Sequence, residues 1–188
     1  CKTKARAIKE GLLEITRNPS SLILSDAIDD YIASRSSVLS PSTIRGYRII
    51  QRNRFQDIIS CKIDKLKATD IQRSINMASA HLKPKTVMNS WCFLQTVISA
   101  YGGQTFNPRL PSAVRTDRPY LNRDEILVFC QAIIGTEIEI PCLLALSSLR
   151  ASEIYGLTWQ SFDLDNRFID VSRSVVLNED NQFVSKDS

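Results

Sequence analysis

Arg150 and Glu153 are the residues of this chain whose types and spacing point first to chemistry. Arg150 follows an apolar run from Ile138 to Leu149, and Glu153 comes three positions later in the stretch LSSLRASEIYGLTW, Leu146 to Trp159. Residues three apart are neighbours on a helix, so both share a face if the backbone is helical there. An arginine carried out of an apolar wall is costly without an anionic partner, and phosphate fits its forked donors best. Glu153 would also satisfy Arg150 in a structural salt bridge, and the two residues alone leave both readings open.

A second set of candidates is basic and hydroxyl-rich. Arg45, Arg48 and Arg52 recur at i, i+3 and i+7 behind Ser40-Pro41-Ser42-Thr43, and Lys83, Lys85, Thr86 and Asn89 cluster further on. Hydroxyls and free backbone N–H groups at a helix start can meet phosphate, whereas asparagine can read adenine and lysine guanine in a major groove. A row of three arginines is also what a solvated helix face looks like.

The elements that must carry these residues can be read from start and stop signals. Residues 1–17 read as a basic leader helix, broken at Asn18-Pro19. Ser25 is the expected N-cap of a helix with Ala27, Ile28, Tyr31 and Ile32 inward, and Asp26, Asp29 and Asp30 suit its positive end. Ser40-Pro41 opens the next, in which Ile44, Tyr47 and Ile50 face inward. Gly46 costs that helix about 1 kcal/mol relative to alanine, so other contacts must hold it. Thr69 to Gln72 reads as a capping box, with Ile71, Ile75 and Ala78 inward. A fourth helix opens at Lys83-Pro84 with the stripe Val87, Trp91, Leu94, Ile98 and Tyr101, and Gly102-Gly103 ends it. That spacing makes Trp91 a core residue rather than a base-stacking platform.

Residues 104–119 read as a linker rich in proline and basic residues, with Arg115 and Arg118 as candidate phosphate contacts; an ordinary exposed connector is the alternative. Asn122 with Glu125 opens a helix through Ile126, Phe129 and Ile133, and Pro141 fits the first turn of the helix that delivers Arg150. Phe168–Val171, Ser174–Leu177 and Phe183–Lys186 pattern as strands, with a turn at 179–182. The expected division is therefore a leader (1–20), a helical domain (21–103), a linker (104–119) and an α+β domain (120–188).

Charge follows this division. Residues 1–118 carry 19 Lys and Arg against 9 Asp and Glu, a net of +10, while residues 119–188 carry 5 against 11, a net of −6. A basic module suited to a polyanion is thus joined to one with a different task. No run of about 18 apolar residues exists, so no membrane span or membrane partner is expected, and the basic start lacks the apolar stretch of a secretion signal. Cys1, Cys61, Cys92, Cys130 and Cys142 are odd in number and widely spaced, which reads as reduced thiols in a cytoplasmic protein. No C-x-x-C or Cys/His cluster occurs, so no metal is expected. His81 reads as a loop or helix-end residue.

LR-A-S-E-I-Y-G-L-T-W followed by Asp163 resembles the first catalytic box of the tyrosine site-specific recombinases, the phage and transposon integrase family, with Ser148 where the family commonly has glycine. Arg150 matches the first catalytic arginine and Glu153 the acidic residue; Leu157, Trp159 and Asp163 match packing and capping positions, and Tyr155 is expected to pack as well. L-S-P-S-T-I-R-G-Y and K-P-K-T-V-M-N-S-W-C-F-L are similar to the core-binding, SAM-like domain of integrases. The resemblance implies a mainly α fold with a small β-hairpin or sheet, a helical core-binding domain preceding the start of an α+β catalytic domain.

It further implies DNA integration and recombination through a phosphotyrosyl intermediate, with double-stranded DNA at a core site as partner, self-association as a tetramer on DNA, and no cofactor. Arginines clamp the non-bridging oxygens and a lysine, for which Lys186 is the candidate, donates to the leaving group. No H-x-x-R motif follows Glu153, and no tyrosine follows Tyr155. The chain is therefore expected to bind DNA without cleaving it, as an integrase stopped partway through its catalytic domain, monomeric in solution and with a marginally stable second domain. The implied setting is bacterial or phage-encoded and nucleoid-associated. A non-catalytic helical DNA-binding regulator is the alternative, and a helical protein-interaction domain a third reading that the charge of residues 1–118 disfavours.

Overall fold

The computed structural model describes residues 21–112, 117 and 119–187; the expected leader helix, Cys1, Arg115 and Arg118 lie outside them. The chain divides into two compact units, residues 1–39 with 46–114 and residues 40–45 with 115–188. As expected, the fold is mainly helical; the small β part comprises, among the described residues, two antiparallel two-stranded sheets.

The first unit is built from α1 (Leu24–Ala33), α2 (Pro41–Asn53, whose opening turn clusters with the second unit), α3 (Gln56–Ile59), a 3-10 turn (Ile63–Lys65), α4 (Ala68–Ser79) and α5 (Pro84–Ala100). Each long helix turns an apolar stripe inward at helical spacing: Ile28 and Ile32 of α1, Ile71 and Ile75 of α4, Val87, Trp91, Leu94 and Ile98 of α5 are buried together. Helix α5 packs against both α1 and α4. It ends in a Schellman motif: Gly102 takes a left-handed backbone (φ 74°) and the Gly103 N–H reaches the Ile98 carbonyl at 2.9 Å. A Cβ on Gly103 would stand 2.5 Å from the Ile98 Cγ2 methyl, so this corner also needs glycine for space.

Two expected caps are replaced by tertiary contacts. Helix α1 begins at Leu24 with Ile23 as N-cap and no side-chain cap, and Ser25 lies inside it, where its hydroxyl and carbonyl meet the Gln51 amide. Helix α4 begins at Ala68 after Lys67, again uncapped by a side chain. Gln72 does not close a box with Thr69; its amide exchanges two hydrogen bonds with the Arg109 backbone, at 2.8 and 3.1 Å. Around Gly46 the space is open, and α2 is held instead by Tyr47, stacked on Phe93 at 3.8 Å, and by Arg48.

The second unit contains α6 (Arg123–Ile133), α7 (Glu139–Leu146), α8 (Ala151–Ile154), a 3-10 turn (Trp159–Ser161), and the strand pairs β1 (Phe162–Asp163) with β2 (Phe168–Ile169) and β3 (Arg173–Leu177) with β4 (Phe183–Asp187). The Asn122 capping box forms with Glu125 as the sequence predicts. The strand expected over 168–171 stops at Ile169, and Asp170 N–H turns back to the Ser161 carbonyl at 2.8 Å. Its partner strand, Phe162–Asp163, carries no length of alternating pattern by which sequence could find it. Among the described residues Ile133 is the one buried apolar side chain of this unit, while Leu127, Val128, Ile138, Ile140, Leu143 and Leu146 are exposed.

Candidate functional site

The basic set is carried by Ser40 and α2, whose opening turn falls in residues 40–45 of the second unit, and by α5 of the first. No acidic residue occupies the first turn of either helix, so the positive ends of both dipoles are uncompensated there. At the start of α2 the Ser40 hydroxyl lies 3.1 Å from that of Ser42 and 2.8 Å from that of Thr43, and it accepts the Thr43 N–H. Ser40 thereby caps the helix, and the hydroxyls form one cluster.

Of the three spaced arginines, Arg52 is exposed in the last turn and Arg45 is half-buried. Arg48 is tied down: its guanidinium pairs with the Asp29 carboxylate and donates to the Gln51 side-chain oxygen at 2.8 Å. For Asp29, burial raises the carboxyl pKa, but hydrogen bonds from Gln51 and Arg48 and the arginine charge outweigh it and leave the group below its usual value.

On α5, Lys83 is the N-cap residue, and Lys85 and Asn89 are exposed four residues apart on one face. Thr86 is half-buried, and its carbonyl accepts from the Ser90 hydroxyl at 2.8 Å. The exposed face continues through Cys92 and Thr96, which the sequence pattern did not single out.

In the second unit Arg150 is the N-cap residue of α8. Its Nη1 donates to Glu153 Oε1 at 2.9 Å, and its backbone N–H donates to Oε2 at 2.8 Å. The backbone bond first, then the guanidinium, holds the Glu153 carboxyl below its usual range. The Arg150 side chain is nonetheless 83% exposed, against 17% for Glu153, so most of the fork faces solvent.

What aims Arg150 is the end of α7. Ser148 is left-handed (φ 74°), its N–H bonds the Ala145 carbonyl and the Leu149 N–H bonds that of Leu144, a Schellman motif with serine where glycine fits without strain. Beyond α8, Gly156 backs onto β3: a Cβ there would lie 2.5 Å from the Arg173 carbonyl oxygen. Lys186 is half-buried on β4, paired across the ladder with Ser174 of that same β3.

Two packing expectations fail in this unit. Tyr155 is 72% and Trp159 86% exposed. Trp159 only leans on Phe162, at 6.0 Å between ring centres, at the rim of an open apolar groove lined by Ile140, Leu144, Ile154 and Leu157. Asp163 does serve a turn, accepting from the Asn166 backbone at 2.8 Å and side chain at 2.9 Å. His81 is exposed in the turn between α4 and α5, and Cys61, Cys92, Cys130 and Cys142 are free thiols.

No protein-family model and no curated protein matches the chain. Solved structures do: the Tn1549 transposon integrase in complex with transposon right end DNA is similar at TM-score 0.66 and 22% identity over 89% of this chain. Two structures of the same integrase with circular intermediate DNA match at TM-scores of 0.66 and 0.68, also at 22% identity and 89% coverage. The chain spans 57% to 59% of the length of those integrase chains. At this identity the likeness establishes the fold.

Proposed function

We propose that this chain belongs to the tyrosine recombinases, binds double-stranded DNA through its first unit, and carries in its second the first catalytic arginine of a phosphoryl-transfer site. The observation that carries the DNA reading is the opening of α5: Lys83, Lys85 and Asn89 stand exposed around a helix start with no acid to neutralise it. Lys83, Lys85, Thr86 and Arg52 are assigned to phosphate and Asn89 to a base edge, whereas Arg48, proposed for phosphate on its spacing, is engaged by Asp29. Ser40, Ser42, Thr43 and Arg45 at the start of α2 are assigned to phosphate as well. Arg115 and Arg118 are assigned there on sequence grounds alone.

In the second unit the exposed fork of Arg150 would clamp the non-bridging oxygens of a phosphodiester while Glu153 holds its backbone and one donor in place. The reaction this serves is attack of a tyrosine hydroxyl on phosphorus, with the displaced sugar oxygen taking a proton from a lysine, for which Lys186 is the candidate. Arginine and lysine supply the charge stabilisation, so no cofactor is required. Because no tyrosine follows Tyr155 and no H-x-x-R follows Glu153, these 188 residues bind DNA without cutting it. The complete reaction is DNA integration by a tetramer on paired core sites, in the cytoplasm at the nucleoid. Residues 21–103 form the core-binding domain, 104–119 the linker and 120–188 the catalytic part.

Selection of bound duplexes from a random library, with affinity for the enriched sequence followed against salt, tests the binding reading. A defined half-site should emerge, and Lys85→Ala should reduce the slope of log affinity against log salt by about one. Asn89→Ala should relax preference at one position by about 1–3 kcal/mol. Binding without enrichment, or none, refutes the assignment of α5. A covalent adduct with a nicked duplex would refute the claim that this chain does not cleave.

A further inference from the structure

We infer that Arg54 is a positioning residue for DNA readout: through the buried Ser90 it fixes the aim of Lys85 and Asn89. The inference rests on the DNA-binding reading of α5 and adds to it the part that sets its geometry.

Arg54 Nη1 donates to the Ser90 hydroxyl at 2.6 Å, and that hydroxyl donates in turn to the Thr86 carbonyl at 2.8 Å. Ser90 is fully buried and adjoins Asn89, on the inward side of the same turn. A mid-helix serine already satisfied by the carbonyl four residues back gains nothing local from a second partner. The arginine bond instead joins α5 to another element. No carboxylate among the described residues pairs with Arg54, so its half-buried charge is spent on a neutral hydroxyl, a charge-assisted bond with defined direction.

The other end of this strut is equally fixed. Arg54 immediately follows α2, its N–H bonded to the Ile50 carbonyl at 3.0 Å, and Phe55 next to it is buried in a left-handed conformation (φ 55°) that starts α3. Tyr47 stacked on Phe93 ties the same two helices further along. Rotation of α5 about its axis is therefore resisted at Ser90, one residue from Asn89. A bidentate contact to a base edge depends on that rotation, whereas a phosphate contact by a long lysine tolerates it.

The test compares Ser90→Ala, Arg54→Ala, Arg54→Lys and the double variant Arg54→Ala/Ser90→Ala, in the full chain, for affinity to the enriched duplex and to a scrambled one. Ser90 has no surface with which to touch DNA, so any effect of Ser90→Ala on readout must act through position. The ratio of specific to non-specific affinity should fall about tenfold in Ser90→Ala and Arg54→Ala, the size of one charge-assisted bond. The salt slope should stay unchanged, Arg54→Lys should recover part of the ratio, and the double variant should be no worse than either single one. Circular dichroism at the assay temperature confirms that each variant compared is folded; should Ser90→Ala unfold, Arg54→Ala and Arg54→Lys carry the comparison. An unchanged ratio in these variants overturns the inference, as does a salt slope lowered by about one in Arg54→Ala, which would make Arg54 a phosphate contact. Failure of the unaltered chain to bind any duplex would instead bring down the DNA reading beneath it.

Discussion

Among the described residues the first unit buries most of its large apolar side chains, and the second leaves most of its own exposed or half-buried. Helices α1, α4 and α5 each keep their apolar residues on one stripe, and the stripes meet in an interior that includes Leu24, Ile28, Ile71, Leu94 and Ile98. Helices α6 and α7 carry leucine, isoleucine and valine on more than one face, and among the described residues only Ile133 is fully buried, with Ile126, Phe129 and Leu144 half-buried. The basic residues of the first unit therefore sit on a packed support, which holds their backbone in one place. Arg150 in the second unit is aimed by local devices: a Schellman turn, the return bonds from its backbone N–H and guanidinium to Glu153, and one close glycine contact.

The largest effect that can break this contrast is a matched pair of truncations. Leu94→Ala should destabilise the first unit by about 2–5 kcal/mol, whereas Leu127→Ala should change stability by less than about 0.5 kcal/mol. Urea unfolding followed by the emission of the buried Trp91 reads the first, and hydrogen exchange at the α6 amides reads the second, because Trp159 is already exposed in the folded chain. Equal costs would mean that α6 has a core in solution and that the contrast is wrong.

Next comes Gly156→Ala, whose new methyl group would press on the Arg173 carbonyl. It should loosen the packing of α8 on β3 at a cost of about 1–3 kcal/mol, seen as faster hydrogen exchange at the β3–β4 amides with the amides of α5 unaffected. Exchange unchanged in the hairpin would show that the close approach is not needed.

Ser148→Gly works in the opposite direction. It relieves a left-handed serine and should stabilise the end of α7 by up to about 1 kcal/mol, visible as a small rise in the second unit's thermal midpoint. A fall would mean that the serine side chain holds the turn.

The smallest effect is a pH window in the first unit. Burial, with the hydrogen bond to the Asp30 carboxylate and its charge, pushes the Tyr101 phenol up to about 12 from its ordinary 10.0. A phenol whose folded pKa is raised contributes stability that is complete below 10 and is lost as pH rises through the folded value. Alkaline titration of tyrosinate absorbance should show a late phase that Tyr101→Phe removes; a phase that survives the substitution belongs to another tyrosine.

Local grammar made the helices legible. Ser40-Pro41, Lys83-Pro84, Asn122 with Glu125 and Gly102 act through their own backbone neighbours, so their effect is written in adjacent residues. Ser25 and Gln72 misled because partners at Gln51 and Arg109, far along the chain, use groups that local rules assign to caps. Asp29 and Asp30 read as helix-dipole acids, yet the fold spends them on Arg48 and Tyr101. Trp159 and Tyr155 read as packing residues because they lie in an apolar pattern, and pattern cannot say whether anything covers it.

By itself the sequence determined where α2, α5 and α6 start and where α5 stops, which stripes of α1, α4 and α5 face inward, how basic charge is divided along the chain, and that Arg150 and Glu153 fall within reach of each other. Each of these depends on residues within about two helical turns or on a sum over composition, and neither needs distant partners. Only the tertiary structure decided that Arg48 is tethered to Asp29, that Arg54 reaches Ser90, that Gly156 meets the Arg173 carbonyl and that α6 and α7 leave their apolar faces open. Those outcomes join residues that are remote in the chain, and no local spacing encodes the distance between side chains that only packing brings together.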